Sequence, residues 1–244
     1  MTMTFQIRAN DIAKNFKQVQ ALKGVSLHLS GGVLHGLIGP SGAGKTTLMR
    51  CLMGLMTPTR GTIEYLSGDT PAPFQLIRDQ IAYMPQTQSL YADLSIGEHL
   101  DFFKAMYQIQ DEEFEKRKAH LLEITRLKAF ENRLAGQLSG GMYKKLGLMC
   151  SLLRNPKMLL LDEPTNGVDP ISRREFWEML YELKKLNVTI LVATAYMDEA
   201  ERCSMVHILD SGKVVASGVP GELLEKFNVP NFDAIFLQGL VHVD

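Results

Sequence analysis

The chemistry available to this chain is concentrated in Gly39-Pro40-Ser41-Gly42-Ala43-Gly44-Lys45-Thr46-Thr47, which fits the phosphate-loop pattern G-x-x-x-x-G-K-[ST]. Glycines let backbone N–H groups turn inward around an oxyanion, and the N-terminus of the following helix adds partial positive charge. Lys45 is placed to reach the β- and γ-phosphates of a nucleotide, and the Thr46 hydroxyl to hold Mg²⁺. A glycine-rich turn that binds nothing has no use for the Lys-Thr-Thr run, so the loop predicts a nucleotide site.

Four further stretches can serve such a site. Met158-Leu159-Leu160-Leu161 reads as a short buried strand ending in Asp162-Glu163. Asp162 is where a nucleotide-hydrolysing protein places a carboxylate to hold Mg²⁺ through water, and Glu163 is positioned to deprotonate the attacking water. Two acids at a strand end are common on any surface; downstream of a phosphate loop they gain meaning. Gln86, after Ile81-Ala82-Tyr83-Met84-Pro85, is either a polar residue closing a strand or an amide that touches Mg²⁺ and the water. Leu138-Ser139-Gly140-Gly141-Met142 opens a helix over Tyr143 to Arg154, with Ser139 as its cap and two glycines that allow close approach to its N–H groups. A second anion-binding helix start needs a second nucleotide to serve, which predicts two such domains face to face. Asp169 before Pro170 is a normal N-cap.

The positioning elements follow from pattern. Val33 to Ile38 is a buried strand leading into the phosphate loop, and the helix begins at Thr47. Strands are predicted over Phe5 to Ala13, Val25 to Leu29 and, after a turn at Thr59, to Leu66; Phe16 lies in a polar stretch between the first two. Ser95 and Glu98 form a capping box before a helix with Ile96, Leu100, Phe103 and Tyr107 at helical spacing, and Asp111 starts another. Pro170 opens a helix that buries Phe176, Trp177, Leu180 and Leu183. Val188 to Thr194 suits a parallel core strand, and Ile208 to Ala216 a hairpin turning at Ser211-Gly212. Alternating strands and helices predict a parallel sheet covered on both faces. The boundaries expected are an ATP-binding core with a β subdomain over 1–86, a helical subdomain over 87–155, the core continued over 156–220 and a short tail over 221–244.

Composition narrows the class. The 244 residues carry 26 basic and 27 acidic side chains, a net charge of −1, with no concentrated basic patch, which argues against nucleic acid as a partner. Lys116-Arg117-Lys118 follows Glu112, Glu113 and Glu115 and reads as a solvated helix face. Cys51, Cys150 and Cys203 have no metal-ligand spacing and are expected to be reduced in a cytosolic protein. The N-terminal residues lack the pattern of a signal peptide, and no apolar run approaches the roughly 18 residues of a membrane span. Any membrane role is therefore expected through a partner.

The ordered set Phe16, Gly39 to Thr47, Gln86, Leu138 to Met142, Leu159 to Glu163 and Asp169 resembles the ATP-binding subunit of an ABC transporter, over nearly the whole chain. The resemblance implies a RecA-like P-loop NTPase core, an α/β fold with an antiparallel β subdomain and an α-helical insertion. It implies a head-to-tail dimer with ATP between one subunit's phosphate loop and the other's Ser139-Gly140-Gly141-Met142 signature. It also implies Phe16 stacked on adenine, Thr46, Gln86 and Asp162 around Mg²⁺, Lys45, Gln86 and Glu163 in catalysis, and Asp169 communicating across the dimer. Transmembrane permease subunits, docking near Gln86 to Leu94 on the cytoplasmic face of the membrane, are the implied partners. Met142 for the more usual Gln, Gly167-Val168-Asp169-Pro170 and Tyr196 to Glu201 resemble the exporter branch that includes drug, sodium and ABC-2-type systems.

One position departs from the family. Where a histidine normally contacts the γ-phosphate after the last core strand, this chain has Ala195, and its six histidines lie elsewhere. Loss of one preorganised donor would cost about 10²–10³ in rate, with ATP binding preserved. Tyr196, next to it, is expected on the opposite side of the strand. Two accounts stay open: a degenerate member of an asymmetric pair, such as one half of a fused two-cassette exporter, or a substituted form of an active subunit. The rival functions are a hydrolysis-impaired regulatory partner and a soluble ABC ATPase without membrane subunits. The compact cassette and near-zero charge argue against the latter.

Overall fold

An alternating apolar stretch comes first and folds as a half-buried hairpin. In the computed structural model, which describes residues 4–87 and 89–237, β1 (Phe5–Phe16) pairs antiparallel with β2 (Val19–Leu29). Phe5, Ile7 and Ala9 face inward at every second position, and a register shift at Asp11, whose φ is 51°, re-phases the strand so that Ile12 is buried too. The hairpin is longer than its apolar pattern predicts. Exposed polar residues extend β1 to Phe16, because pairing with β2 satisfies the backbone whatever the side chains are, and Phe16 ends at the hairpin tip.

The buried run β3 (Leu34–Ile38) leads through the phosphate loop into α1 (Lys45–Leu52). Next come β4 (Arg60–Ser67) and β5 (Thr70–Pro71), which complete an antiparallel sheet in the order β2-β1-β4-β5, then the single turn α2 (Phe74–Ile77) and β6 (Ile81–Met84). A helical layer follows: α3 (Ile96–Tyr107), α4 (Asp111–Ile124) and α5 (Gly140–Leu152). The predicted capping box is present, with the Ser95 hydroxyl accepting from the Glu98 N–H at 3.2 Å and the Glu98 carboxylate accepting from the Ser95 N–H at 2.7 Å.

The chain then returns to the core with β7 (Met158–Asp162), α6 (Pro170–Lys185), β8 (Thr189–Thr194) and the hairpin β9 (Met205–Asp210) and β10 (Lys213–Gly218). α7 (Pro220–Phe227) and α8 (Phe232–Leu237) close the described chain; the rest of the predicted tail and the first three residues lie outside it. The second sheet runs β10-β9-β3-β8-β7-β6, parallel except for the β9–β10 pair. Its central strands β3, β7 and β8 are buried along their whole length, as continuous aliphatic runs require. Their side chains alternate between two cores. Leu159, Leu161, Ile190 and Val192 pack with α5 and α6 around Trp177, while Met158, Leu160, Leu191 and Ala193 pack with α1 and the first hairpin. The architecture is the expected RecA-like α/β core with an antiparallel β sheet and a helical insertion. Among the described residues no helix is long and apolar enough to cross a membrane, and Cys51, Cys150 and Cys203 are free and buried.

Candidate functional site

The phosphate loop owes its shape to glycine at two positions. A Cβ on Gly39 would lie 2.0 Å from the Leu209 carbonyl oxygen, and Gly44, the residue before α1, has φ 107°. Lys45 opens α1 and is almost buried, at 5% exposure. Its ammonium donates to the Gly39 carbonyl at 2.8 Å and the Pro40 carbonyl at 3.0 Å, and lies 3.4 Å from Glu163 Oε1. Burial pulls its pKa down, and Glu163 and Asp162 pull it back up.

Ser41, Gly42, Gly44, Lys45, Thr46 and Thr47 line a cavity of about 420 Å³ together with Gln86 and Glu163. Its opposite wall is Val19, Gln20 and Ala21 of β2 with Ser211 and Gly212 of the β9–β10 turn. Phe16, 42% exposed, is not part of that lining; it pairs across the hairpin tip with Val19, which is. Ser139 to Met142, Asp169 and Ala195 also lie outside the lining.

The two acids at the end of β7 have different surroundings. Asp162 is fully buried; one oxygen accepts from the Tyr83 hydroxyl at 3.1 Å and the other, Oδ1, has no protein partner. Burial and the Asp162 charge push the Tyr83 phenol up to about 12. Glu163 adopts φ 47°, uncommon for a residue with a side chain, and its N–H donates to the Ala193 carbonyl at 2.8 Å. This turns its carboxylate back over the phosphate loop. Oε2 accepts from Gln86 Nε2 and from Asn166 Nδ2, each at 3.3 Å, while Oε1 faces Lys45. The Gln86 carbonyl accepts from Lys144 Nζ at 2.9 Å, joining the site to α5.

Ser139 caps α5, its hydroxyl accepting from the Met142 N–H at 3.3 Å. Gly140 is exposed, whereas a Cβ on Gly141 would lie 2.4 Å from Ser172 Cβ, so α5 starts hard against α6. Asp169 caps α6, with Oδ1 accepting from the Ile171 N–H at 3.1 Å and the Ser172 N–H at 3.0 Å; these bonds hold its carboxyl below the usual range.

Ala195 is tethered beside the loop and the acid. The carbonyl of Thr194 accepts from the Gly39 N–H at 3.3 Å, one residue after the Ala193 carbonyl that holds Glu163. Tyr196 does not point away as strand alternation predicts. β8 ends at Thr194, whose hydroxyl accepts from the Tyr196 N–H at 3.0 Å, and the chain turns so that the phenol reaches Asn166 Oδ1 at 3.3 Å. Sequence reasoning missed Asn166, Lys144 and Tyr196 as neighbours of the site. It also missed Glu199, fully buried, whose Oε1 accepts from Thr165 Oγ1 at 2.7 Å, Arg173 Nε at 2.9 Å and Trp177 Nε1 at 3.0 Å. An acid in the segment after a core strand was the only available signal.

The family described as ABC transporter matches residues 22–166. The probable multidrug ABC transporter ATP-binding protein YbhF of Escherichia coli (strain K12) is 42% identical over 221 residues, covering 90% of this chain and 38% of that protein. Nod factor export ATP-binding protein I of Sinorhizobium fredii (strain NBRC 101917 / NGR234) is 35% identical over 221 residues, covering 90% of this chain and 64% of its own length. This chain therefore spans less than two thirds of either relative. Among solved structures, the dimeric post-hydrolysis state of the ATP-binding cassette MJ0796, bound to ADP and Pi, superposes with a TM-score of 0.75 at 25% identity, covering 87% of this chain and 98% of that one.

Proposed function

This chain belongs to the ABC transporter family, and from that premise we propose that it is the ATP-binding subunit of an exporter, using ATP binding and hydrolysis to drive membrane-spanning permease subunits. The observation that carries the reading is the convergence of Lys45, Thr46, Gln86 and Glu163 on one cavity walled by the phosphate loop. The loop N–H groups and Lys45 hold the phosphates, and Phe16 at the adjoining hairpin tip stacks on adenine. Water adds in line to the γ-phosphorus, Glu163 takes its proton, and the bond to the β–γ bridging oxygen breaks to release ADP. Gln86 and Asn166 hold the Glu163 carboxylate in place as donors.

The donor set suits Mg²⁺: a Thr46 hydroxyl and the Gln86 amide oxygen are hard oxygen ligands, and the partnerless buried Asp162 Oδ1 is a hard acceptor that would hold the ion through water. Bound there with ATP, Mg²⁺ would neutralise charge on the β- and γ-oxygens.

Ser139, Gly140, Gly141 and Met142 stand outside the chain's own cavity, which suits a head-to-tail dimer in which they serve the nucleotide of a second ATP-binding domain. In that arrangement Asp169, besides capping α6, faces the other subunit. The dimeric state of MJ0796 supports this reading. The permease docks in the cavity of about 380 Å³ between β6 and the helical layer, lined by Met84, Pro85, Leu90, Phe103, Tyr107 and Arg154. The subunit thus works at the cytoplasmic face of the membrane. Export follows from the branch resemblance and from the transport named for the relatives.

Calorimetric titration with Mg-ATP beside an ATPase assay tests the proposal. Lys45→Ala should weaken ATP binding by about 100-fold or more, and Glu163→Gln should bind ATP normally while losing roughly 10²–10⁴ in turnover. Unchanged binding in Lys45→Ala would refute it. Ala195 favours a second reading, a subunit that retains ATP and hydrolyses it slowly beside a more active partner cassette.

A further inference from the structure

A chain of side-chain hydrogen bonds runs from the segment after β8 to Glu163, and the mechanism above uses only its last link. The Tyr196 oxygen lies 3.3 Å from Asn166 Oδ1, and Asn166 Nδ2 lies 3.3 Å from Glu163 Oε2. The polarity is settled by chemistry: an amide oxygen only accepts, an amide nitrogen only donates, and an ionised carboxylate only accepts. Tyr196 therefore donates to Asn166, and Asn166 to Glu163. The acceptor-only carboxylate fixes the amide with its NH₂ towards Glu163, which leaves Oδ1 facing the phenol, so the Tyr196 hydroxyl is the donor that pairs the far end of the amide.

The phenol is itself anchored. The Arg173 guanidinium lies 4.8 Å from the centre of the Tyr196 ring. Arg173 is fixed in turn by Asp198 and by the fully buried Glu199, the latter through Nε at 2.9 Å. A buried carboxylate that needs its cation makes this a rigid support. The Tyr196 N–H adds a 3.0 Å bond to Thr194 Oγ1 at the end of β8.

We propose that Tyr196 is a positioning residue for Glu163, acting through Asn166. The proposal rests on the reading of Glu163 as the base. It places beside Ala195, which has no donor, a neighbouring hydroxyl that steadies the acid from a different direction. Tyr196 makes no contact with nucleotide in this role, so its loss alters the rate and the placement of the Glu163 carboxylate and leaves ATP binding alone. Without the hydroxyl Asn166 Oδ1 loses this donor, and the amide that donates to Oε2 is held less firmly beside Glu163.

The test is ¹⁵N,¹H spectroscopy of the full chain at one fixed pH, following the Asn166 side-chain amide. In Glu163→Gln the Asn166 amide signals should move, because the carboxylate that accepts from Nδ2 becomes a neutral amide. Tyr196→Phe, which keeps the ring over Arg173, should shift the same amide signals, because Asn166 Oδ1 loses its donor. Steady-state ATPase of Tyr196→Phe should show kcat lowered about 3- to 10-fold, the scale of one modest hydrogen bond, with KM unchanged. Tyr196→Phe combined with Asn166→Ala should be no slower than Asn166→Ala alone. Asn166 signals unaltered in Tyr196→Phe would overturn the proposal, as would Asn166 signals indifferent to Glu163→Gln. If the spectra behave as expected but Glu163→Gln hydrolyses ATP at the unmodified rate, the base assignment falls and the link stands. The spectra decide the link whatever the turnover of the chain.

Discussion

Replacing Ala195 with histidine should raise turnover by about 10²–10³ while ATP affinity changes less than about 3-fold. The magnitude comes from the position. Residue 195 follows directly on the carbonyls of Ala193 and Thr194, which hold Glu163 and Gly39 at 2.8 and 3.3 Å. Position 195 is half-buried, so an imidazole there starts one residue beyond backbone that is bonded to both the loop and Glu163. One preorganised donor aimed at charge that develops during reaction contributes about 2.7–4 kcal/mol, which is the stated factor. Affinity barely moves because the ground-state phosphate contacts belong to the loop and Lys45, and a contact made mainly in the transition state raises kcat alone. The link through Tyr196 and Asn166 limits the gain to the phosphate contact, because the base is already oriented. The assay is steady-state phosphate release at saturating Mg-ATP, with ATP binding measured on both proteins and Glu163→Gln built into each background. Three results would overturn this expectation. One is an unmodified chain turning over at about 1 s⁻¹ or faster, the lower range of ordinary enzymes. Another is a gain below about 3-fold while the residual activity still depends on Glu163. The last is an affinity that rises as much as the rate, the mark of uniform binding.

Two further outcomes concern stability. Glu199→Gln removes the charge that pairs with Arg173 inside the molecule, where Oε1 accepts three bonds; urea unfolding should show a loss of about 3 kcal/mol, the scale of a broken buried ion pair. The stacked pair His35 and His207 forms one directed chain, with His35 Nε2 donating to the Ser30 carbonyl at 3.2 Å, His207 Nε2 donating to His35 Nδ1 at 3.2 Å and Ser217 donating to His207 Nδ1 at 2.9 Å. That chain needs both rings neutral, and burial lowers their pKa values to about 4 and about 3. The unfolded rings, near pKa 6.5, bind more protons than the folded ones as pH falls below that value, so their contribution is full above about pH 6.5 and is lost progressively towards pH 4. The limiting slope is about 1.4 kcal/mol per pH unit for each ring, and urea midpoints against pH should be visibly flatter for His207→Gln.

The phosphate loop was legible because its chemistry demands residue types at fixed spacing: Gly39 and Gly44 cannot carry a side chain where the backbone goes, and Lys45 and Thr46 must follow. The central strands were legible for an equally local reason, since burial on both faces leaves an unbroken aliphatic run. The site's support was not legible. Asn166 and Tyr196 meet across 30 residues, Glu199 gathers Thr165, Arg173 and Trp177 from 34, 26 and 22 residues away, and nothing in their local pattern announces it. Tyr196 also shows where alternation fails: the two-residue period holds only while pairing continues, and β8 stops at Thr194. Phe16 went the other way, because β1 runs on past its apolar residues as long as β2 supplies partners.

On the proposed reading, the contacts of Glu163 also imply the direction in which nucleotide acts. Lys45 has three N–H donors; two are taken by the Gly39 and Pro40 carbonyls, and the remaining one faces Glu163 Oε1 at 3.4 Å. A phosphate entering the loop competes for that donor with a stronger charge than a single carboxylate. Glu163 then loses its cation and keeps its two amide donors, Gln86 and Asn166, so it becomes a better base when substrate arrives. Gln86 carries the same event outward, because its carbonyl holds Lys144 on α5, the helix that begins with Ser139-Gly140-Gly141. One carboxylate thus joins the phosphate loop, the helical layer and the segment after β8, and a change in its partners must be felt by all three.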